Sequence, residues 1–256
     1  MKGNPFRSSI ALENSCLHWA NNGGLTEANA TTHGFLLKVH AAFRDLILQP
    51  GFSCIGAKAA FHGNAYGFAV YSELASEEST AGLCRDLCCF AKSQLVAESE
   101  YATFVAVFRG PGNINEAEFE HLLWRQLHQL HIADRAFFAW DDAVSADPND
   151  PQFSFSFAGR AFYVIVMHPG SSRTARTFPW PALVFNPHEQ FERLRSDGKW
   201  RKMQKAIRSR EVALQGTINP MLSDFGEKSE APQYSGRAVP RDWTPPIPNV
   251  GKCPFH

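Results

Sequence analysis

The sequence predicts an α+β fold: a mainly antiparallel sheet of about four to six strands, flanked by helices and finished by a long irregular C-terminal wrap. Three observations predict it. Short apolar runs rich in β-branched and aromatic residues, Thr103 to Phe108, Phe162 to Met167 and Ala182 to Phe185, have the length of strands and run out at Gly, Pro or Asn-Pro. Stretches with apolar residues at helical spacing separate most of them. From residue 216 onward the periodicity fades and Pro, Gly and Asn become frequent.

Taken in order, residues 1–32 are polar, with Asn-Asn-Gly-Gly at 21–24, and are expected to form an irregular arm ahead of a single domain spanning 33–256. Phe35, Leu36, Val39, Phe43, Leu46 and Ile47 recur at helical spacing up to Pro50-Gly51, and His40 on that helix reads as a hydrogen-bonding residue. Gly51, Gly56, Gly63 and Gly67 then punctuate a close-packed segment that leads into a strand over 68–71. It lacks the GK[ST] ending of a phosphate loop. A helix over 79–97 buries Leu83, Leu87 and Phe90, and the strand from Thr103 to Phe108 breaks at Gly110-Pro111-Gly112. Asn115 caps a further helix with Phe119, Leu122, Leu123, Leu127 and Leu130 inward, and His121 and His128 on its solvated side.

The acidic loop over 139–152 has neither the spacing nor the glycine of an EF-hand. Phe153, Phe155 and Phe157 alternate with serines as a half-buried strand, and Ala158-Gly159 turns it back onto Phe162 to Met167 as a hairpin. After the strand at 182–185, Asn186 is expected to cap a helix with Pro187 in its first position, which puts His188, Phe191 and Leu194 on one side. Trp200 to Leu214 is a basic amphipathic helix whose cationic face is expected to be solvated. In the tail, Met221, Leu222, Phe225, Tyr234, Trp243 and Phe255 are anchors that let it wrap the surface.

Composition narrows the function. Lys+Arg and Asp+Glu each total 25 in 256 residues, so no net field favours nucleic acid or an anionic membrane. No apolar run approaches the roughly twenty residues of a spanning helix, and the first residues lack the apolar centre of a signal peptide; the expectation is a soluble, cytoplasmic protein. Twenty-one phenylalanines require large flat apolar partners inside. Of six cysteines, Cys84, Cys88 and Cys89 share one helix with no second pair at metal-binding spacing, and read as buried thiols.

The chemistry concentrates in residues 161–195. There His168 ends a strand, His188 opens a helix, and a polar loop carries Ser171, Ser172, Arg173 and Arg176. Imidazole beside hydrocarbon, with cationic forks nearby, suits an iron porphyrin, whose face is apolar and whose propionates are anionic. The plainer reading of each histidine is a hydrogen-bonded structural residue, and of each loop arginine a partner for the protein's own carboxylates. A thiolate from Cys54 or Cys253 is the alternative axial ligand.

Long blocks of residues carry a resemblance. FSCIGAKAA at 52–60, DP..PQFSFSFAGRAF at 147–162, MHPGSSRTAR at 167–176, VFNPHEQFERLR at 184–195, GTINPMLSDFG at 216–226, QYSGR at 233–237 and CPF at 253–255 make the chain similar to the YqcI/YcgG, or FPC/CPF-motif, family. Ser53 departs from the family's proline, and Pro232 stands where an arginine is usual. The resemblance implies a haem-dependent N-oxygenase that hydroxylates a guanidino nitrogen of arginine or an arginine-derived compound, with haem b, O2 and an external electron donor. It makes His168 or His188 the expected iron ligand, with His168 slightly favoured for its stiff strand end. Arg173, Arg176 and Ser172, with Cys54, are expected around the cofactor. If the two strands pair antiparallel, the histidines lie near opposite ends and only one ligates. A guanidinium needs carboxylates, for which Asp224 and Glu230 are the candidates, with Tyr234 as a wall. A haem-binding or gas-sensing protein without turnover is the alternative, and a homodimer is left open.

Overall fold

The computed structural model describes residues 3–26 and 30–247, without the side chains of 30–33. Cys253, Phe255 and the CPF block lie outside the described residues. Seven strands form one sheet: β1 (His18–Asn21), β2 (Gly24–Leu25), β3 (Tyr66–Glu73), β4 (Thr103–Gly110), β5 (Phe155–Phe157), β6 (Arg160–Met167) and β7 (Ala182–Pro187), in the order β2-β1-β3-β4-β7-β6-β5. Every pairing is antiparallel except β3 with β4. That parallel pair requires a crossover, supplied by α4 (Glu77–Ala91) and α5 (Gln94–Glu98).

The fold class is as the residue pattern predicts, with one strand more than expected. The additional pairing comes from the N-terminal segment. Expected to be irregular, it instead carries α1 (Ser9–Glu13) and the two short strands β1 and β2, with β1 extending the sheet beside β3. Too few residues repeat there for a period to show. Tertiary partners fix the segment: the buried carboxylate of Asp86 on α4 accepts hydrogen bonds from the Ser15 hydroxyl, the Cys16 N–H (2.7 Å) and Tyr71 (2.8 Å).

Both faces of the sheet are covered, which is why the central strands read as continuous apolar runs. On one face Phe104, Ala106, Phe108, Phe162, Val164, Val166, Leu183 and Phe185 pack against α4 and α6 (Glu116–Asp134). On the other, Val105, Val107, Met167 and Ala182 meet α2 (Ala30–Leu48) and α3 (Ile55–His62). The helix α6 starts at a capping box in which Asn115 and Glu118 each satisfy the other's backbone N–H. The hairpin of β5 and β6 forms as expected, but β5 is buried on both sides, serines included, because Tyr234 and Trp140 close over it.

Beyond β7 come α7 (His188–Ser196), α8 (Trp200–Gln215) and, in the tail, α9 (Ala231–Tyr234). Asn186 does not cap α7. The strand runs on to Pro187, and the Asn186 amide donates instead to the Tyr163 (3.2 Å) and Val184 carbonyls. The tail wraps as expected, anchored by Tyr234 and Trp243 beside Trp124 and by an ion pair of 2.7 Å between Arg237 and Glu120. Among the described residues, no helix is long and apolar enough to cross a membrane.

Candidate functional site

Strands β6 and β7 pair in register from Phe162↔Pro187 to Met167↔Ala182. Successive side chains alternate between faces, so Tyr163, Ile165 and Met167 on β6, with Val184 and Asn186 on β7, share the face opposite α6. Tyr163, Ile165 and Val184 are only half-buried although they sit mid-sheet. They floor a partly open cavity of about 240 Å³. Phe43, Phe52, Cys54 and Phe61 wall one side, His188, Gln190 and Phe191 of α7 close one end, and Met203 and Ile207 of α8 cover it, together with Phe225 and Glu230 of the tail. The cover is lightly held, since Met203 is the only buried residue of α8.

The register separates the two histidines. His168 follows Met167, so parity turns it onto the α6 face, where it stacks on Phe119 (centroids 4.3 Å apart, planes 13° apart). It does not line the cavity. His188 sits at the far end of the strand pair and does. The favoured histidine of the sequence reading is therefore on the closed side of the sheet, and the other is the one the cavity receives.

His188 is buried. Its Nε2 is 3.3 Å from Glu192 Oε1, its Nδ1 has no hydrogen-bond partner, and the nearest carboxylate oxygen to that atom, Glu230 Oε1, is 3.8 Å away. Phe225 packs edge-on against the ring at 4.4 Å. Burial holds the imidazole below its ordinary pKa despite the pull of Glu192, so the ring is neutral at pH 7 and one nitrogen keeps its lone pair. Glu230, also buried, is pushed up to about 8 by desolvation. The Tyr234 hydroxyl donates to it at 2.9 Å, and that bond and the field of Arg195 pull the other way without overcoming burial.

Arg176 is buried in the cavity wall with Nη1 donating to the Gln233 carbonyl at 3.1 Å, and burial lowers its pKa. Arg173 is elsewhere: it clasps the end of α8 through Thr217 and Glu211 (3.3 Å). Ser172 is exposed and bound to Glu116 of α6. Cys54 lines the cavity, but its Sγ caps α3 at the Ala57 N–H and burial raises the thiol, which favours the protonated form over a thiolate. Asp224 accepts from Trp200 and Gln204, tying the tail to α8 without lining the cavity. Tyr234 is on the closed face and does not line the cavity; it touches the site through its hydroxyl on Glu230 and its ring edge-on to Tyr163.

Among the cavity residues that the sequence does not single out are Tyr163, Asn186 and Gln190. The first two were signalled, because each interrupts an apolar strand with a polar group and the two are cross-strand partners. Gln190 carried no signal in the polar helix HEQFERLRS, yet it is buried with Oε1 unpartnered.

The donor set fits an iron porphyrin. A neutral imidazole has one nitrogen held by a carboxylate and the other without a partner, which is the arrangement of a ligating histidine. Aromatic and aliphatic walls suit the flat face, and Arg176 in the cavity wall suits a propionate. A bare metal ion has no comparable cage: among the described residues, no group of three or more His, Cys, Asp or Glu is placed to hold one.

Residues 43–256 match the model of the YqcI/YcgG family. The chain belongs to it. Every cavity residue, from Phe43 to Gln233, falls within that span, whereas α1, β1 and β2 fall outside. Two YqcI/YcgG relatives from Bacillus subtilis (strain 168) are similar over 165 residues: uncharacterized protein YcgG is 32% identical, covering 61% of this chain and 62% of its own length. Uncharacterized protein YqcI is 30% identical, covering 61% of each. The chain thus spans about three-fifths of the length of the curated relatives it matches. No solved structure matches it.

Proposed function

We propose that this YqcI/YcgG protein is a haem-dependent N-oxygenase that hydroxylates a guanidino nitrogen of arginine or an arginine-derived small molecule. The overall reaction takes the N–H compound, O2, two electrons and two protons to the N–OH compound and water, with the electrons from an external donor. The observation that carries the reading is His188: a buried neutral imidazole whose Nδ1 is unpartnered, at the end of an apolar cavity that also holds Arg176 and Glu230.

When bound, haem b supplies the activation of O2. The chain's residues do the rest. His188 holds the iron and Glu192 orients its ring. Arg176 meets a propionate, and Phe52, Phe61 and Ile165 keep water from the face. Glu230 and Gln190 offer acceptor oxygens to the N–H groups of a guanidinium. A cation brought against Glu230 favours its ionised form, so the substrate creates its own ion pair. Tyr234 acts behind Glu230, as a positioning residue.

The test is direct. Protein expressed with haem supplied should show a Soret band, and incubation with arginine and its relatives, a reductant and O2 should yield a product heavier by one oxygen atom in mass spectrometry. A colourless protein after haem supplementation would sink the proposal. Bound haem without any product across the guanidino series would leave a haem-binding or gas-sensing protein.

A further inference from the structure

Helix α8 has two different sides. Its inner side covers the cavity through Met203, Gln204, Ile207 and Glu211. Its outer side carries Arg201, Lys205, Arg208 and Val212 at positions i, i+4, i+7 and i+11, one stripe along the helix, with Lys202 beside it. Cations on the neighbouring segment are neutralised: Arg193 by Glu189, Arg195 by Glu192, and Lys199 by Glu100 and Asp197. Among the described residues, Arg201, Lys202, Lys205 and Arg208 have no carboxylate within ion-pairing distance, and the one acid of α8, Glu211, is taken by Arg173. In a chain with 25 cations and 25 anions, this is a local concentration of positive charge.

A shallow groove runs along this stripe, lined by Gln204, Lys205, Arg208, Ser209, Val212 and Ile218. Val212 and Ile218 are exposed aliphatics, 45% and 38% accessible, set among the cations. Gln204 and Arg208 line both the groove and the cavity beneath it. One helix, about 10–12 Å across with its side chains, separates the two.

We propose that this groove is the docking surface for an acidic electron-carrier protein, whose iron–sulfur or flavin centre delivers electrons one at a time across α8; this rests on the oxygenase reading above. Charge complementarity selects the partner. A row of unpaired cations attracts an acidic protein and repels a guanidinium, so the groove is a poor entrance for a cationic substrate. The two aliphatics supply the apolar centre of a small protein interface. Two aliphatics are too few to insert into a bilayer, and no aromatic ring lies in the groove to stack on a nucleic-acid base.

The test uses the full-length protein, purified with haem supplied, and a plant-type [2Fe–2S] ferredoxin as the probe. Two measurements are made: ferredoxin binding by calorimetry, and the rate at which pre-reduced ferredoxin, against dithionite, reduces the haem without air. Arg201→Glu/Lys205→Glu should weaken binding and slow ferredoxin-driven reduction by about tenfold or more, leaving dithionite reduction and the melting temperature unchanged. Added salt should weaken the wild type in the same way. Arg201→Gln/Lys205→Gln should fall between. Equal binding by wild type and charge-reversal variant overturns the proposal, as does wild type that binds no ferredoxin but sediments with phosphatidylserine vesicles or shifts DNA. Should the protein carry no haem, calorimetry alone still decides the surface, so loss of the cofactor reading and loss of the docking reading are separate results.

Discussion

The two faces of the sheet are made from the same strands and do opposite things. On the α6 face, Phe104, Phe108, Phe155, Phe162 and Phe185 are fully buried, and Trp124 and Tyr234 close over them. On the other face, the alternate residues Tyr163, Ile165 and Val184 are half-exposed to a cavity. One histidine went to each. His168 stacks on Phe119 within the close-packed core, and His188 lines one end of the cavity. The difference teaches that strand parity, rather than closeness in sequence to an arginine-bearing loop, decides which histidine faces the cavity.

The comparison predicts, first, that the closed face carries the stability. Trp124→Ala should cost about 3–5 kcal/mol, read as a large drop in melting temperature or loss of soluble protein; a loss below about 1 kcal/mol would mean that the face is not close-packed. Next in size is the pair of histidines. His188→Ala should abolish the Soret band of haem-supplemented protein while leaving the fold intact by circular dichroism. His168→Ala should keep the band and lose roughly 1–3 kcal/mol of stability, through its stack on Phe119. The reverse pattern would break the assignment.

A smaller effect tests the cavity itself. Ile165→Phe adds volume where space exists, so stability should change by less than about 1.5 kcal/mol while haem uptake falls; the same enlargement at Val164, on the closed face, should destabilise by about 1–3 kcal/mol. The smallest concerns pH. Asp134, buried at the end of α6 with the Ala158 N–H as partner, is pushed up to about 7 by desolvation. The unfolded chain ionises this carboxyl from about pH 4, the folded chain only near pH 7. Stability from this group therefore falls as pH rises between the two values and is level above them. Asp134→Asn should flatten that slope, with a gain on the order of 2 kcal/mol at pH 8 in denaturant melts. A slope identical to wild type would show that Asp134 ionises normally in the fold.

Much of the fold could be read from local pattern. Apolar runs of six residues between Gly and Pro could be little else than strands, the Asn115 cap announced α6, and Ala158-Gly159 announced a hairpin. The N-terminal strands were hidden because two and four residues cannot display a period. Asn186-Pro187 misled because the same dipeptide that starts a helix can also end a strand, and here the Asn186 amide is satisfied by the Tyr163 carbonyl across the sheet. Of the residues the sequence singled out, His188, Arg176, Cys54 and Glu230 line one cavity, whereas Arg173, Ser172 and Asp224 hold α6, α8 and the tail in place.

The sequence by itself determined the α+β class, most of the elements, the family, and the fact that imidazoles and guanidinium groups cluster in the middle of the chain. Hydrophobic period and turn chemistry are local properties, written within a few residues of where they act. Only the tertiary structure decided which of those groups share a space. Facing depends on strand register and on which helices cover each side of the sheet, and residues as far apart as Phe43, Cys54, His188 and Glu230 meet only after the chain has folded around them.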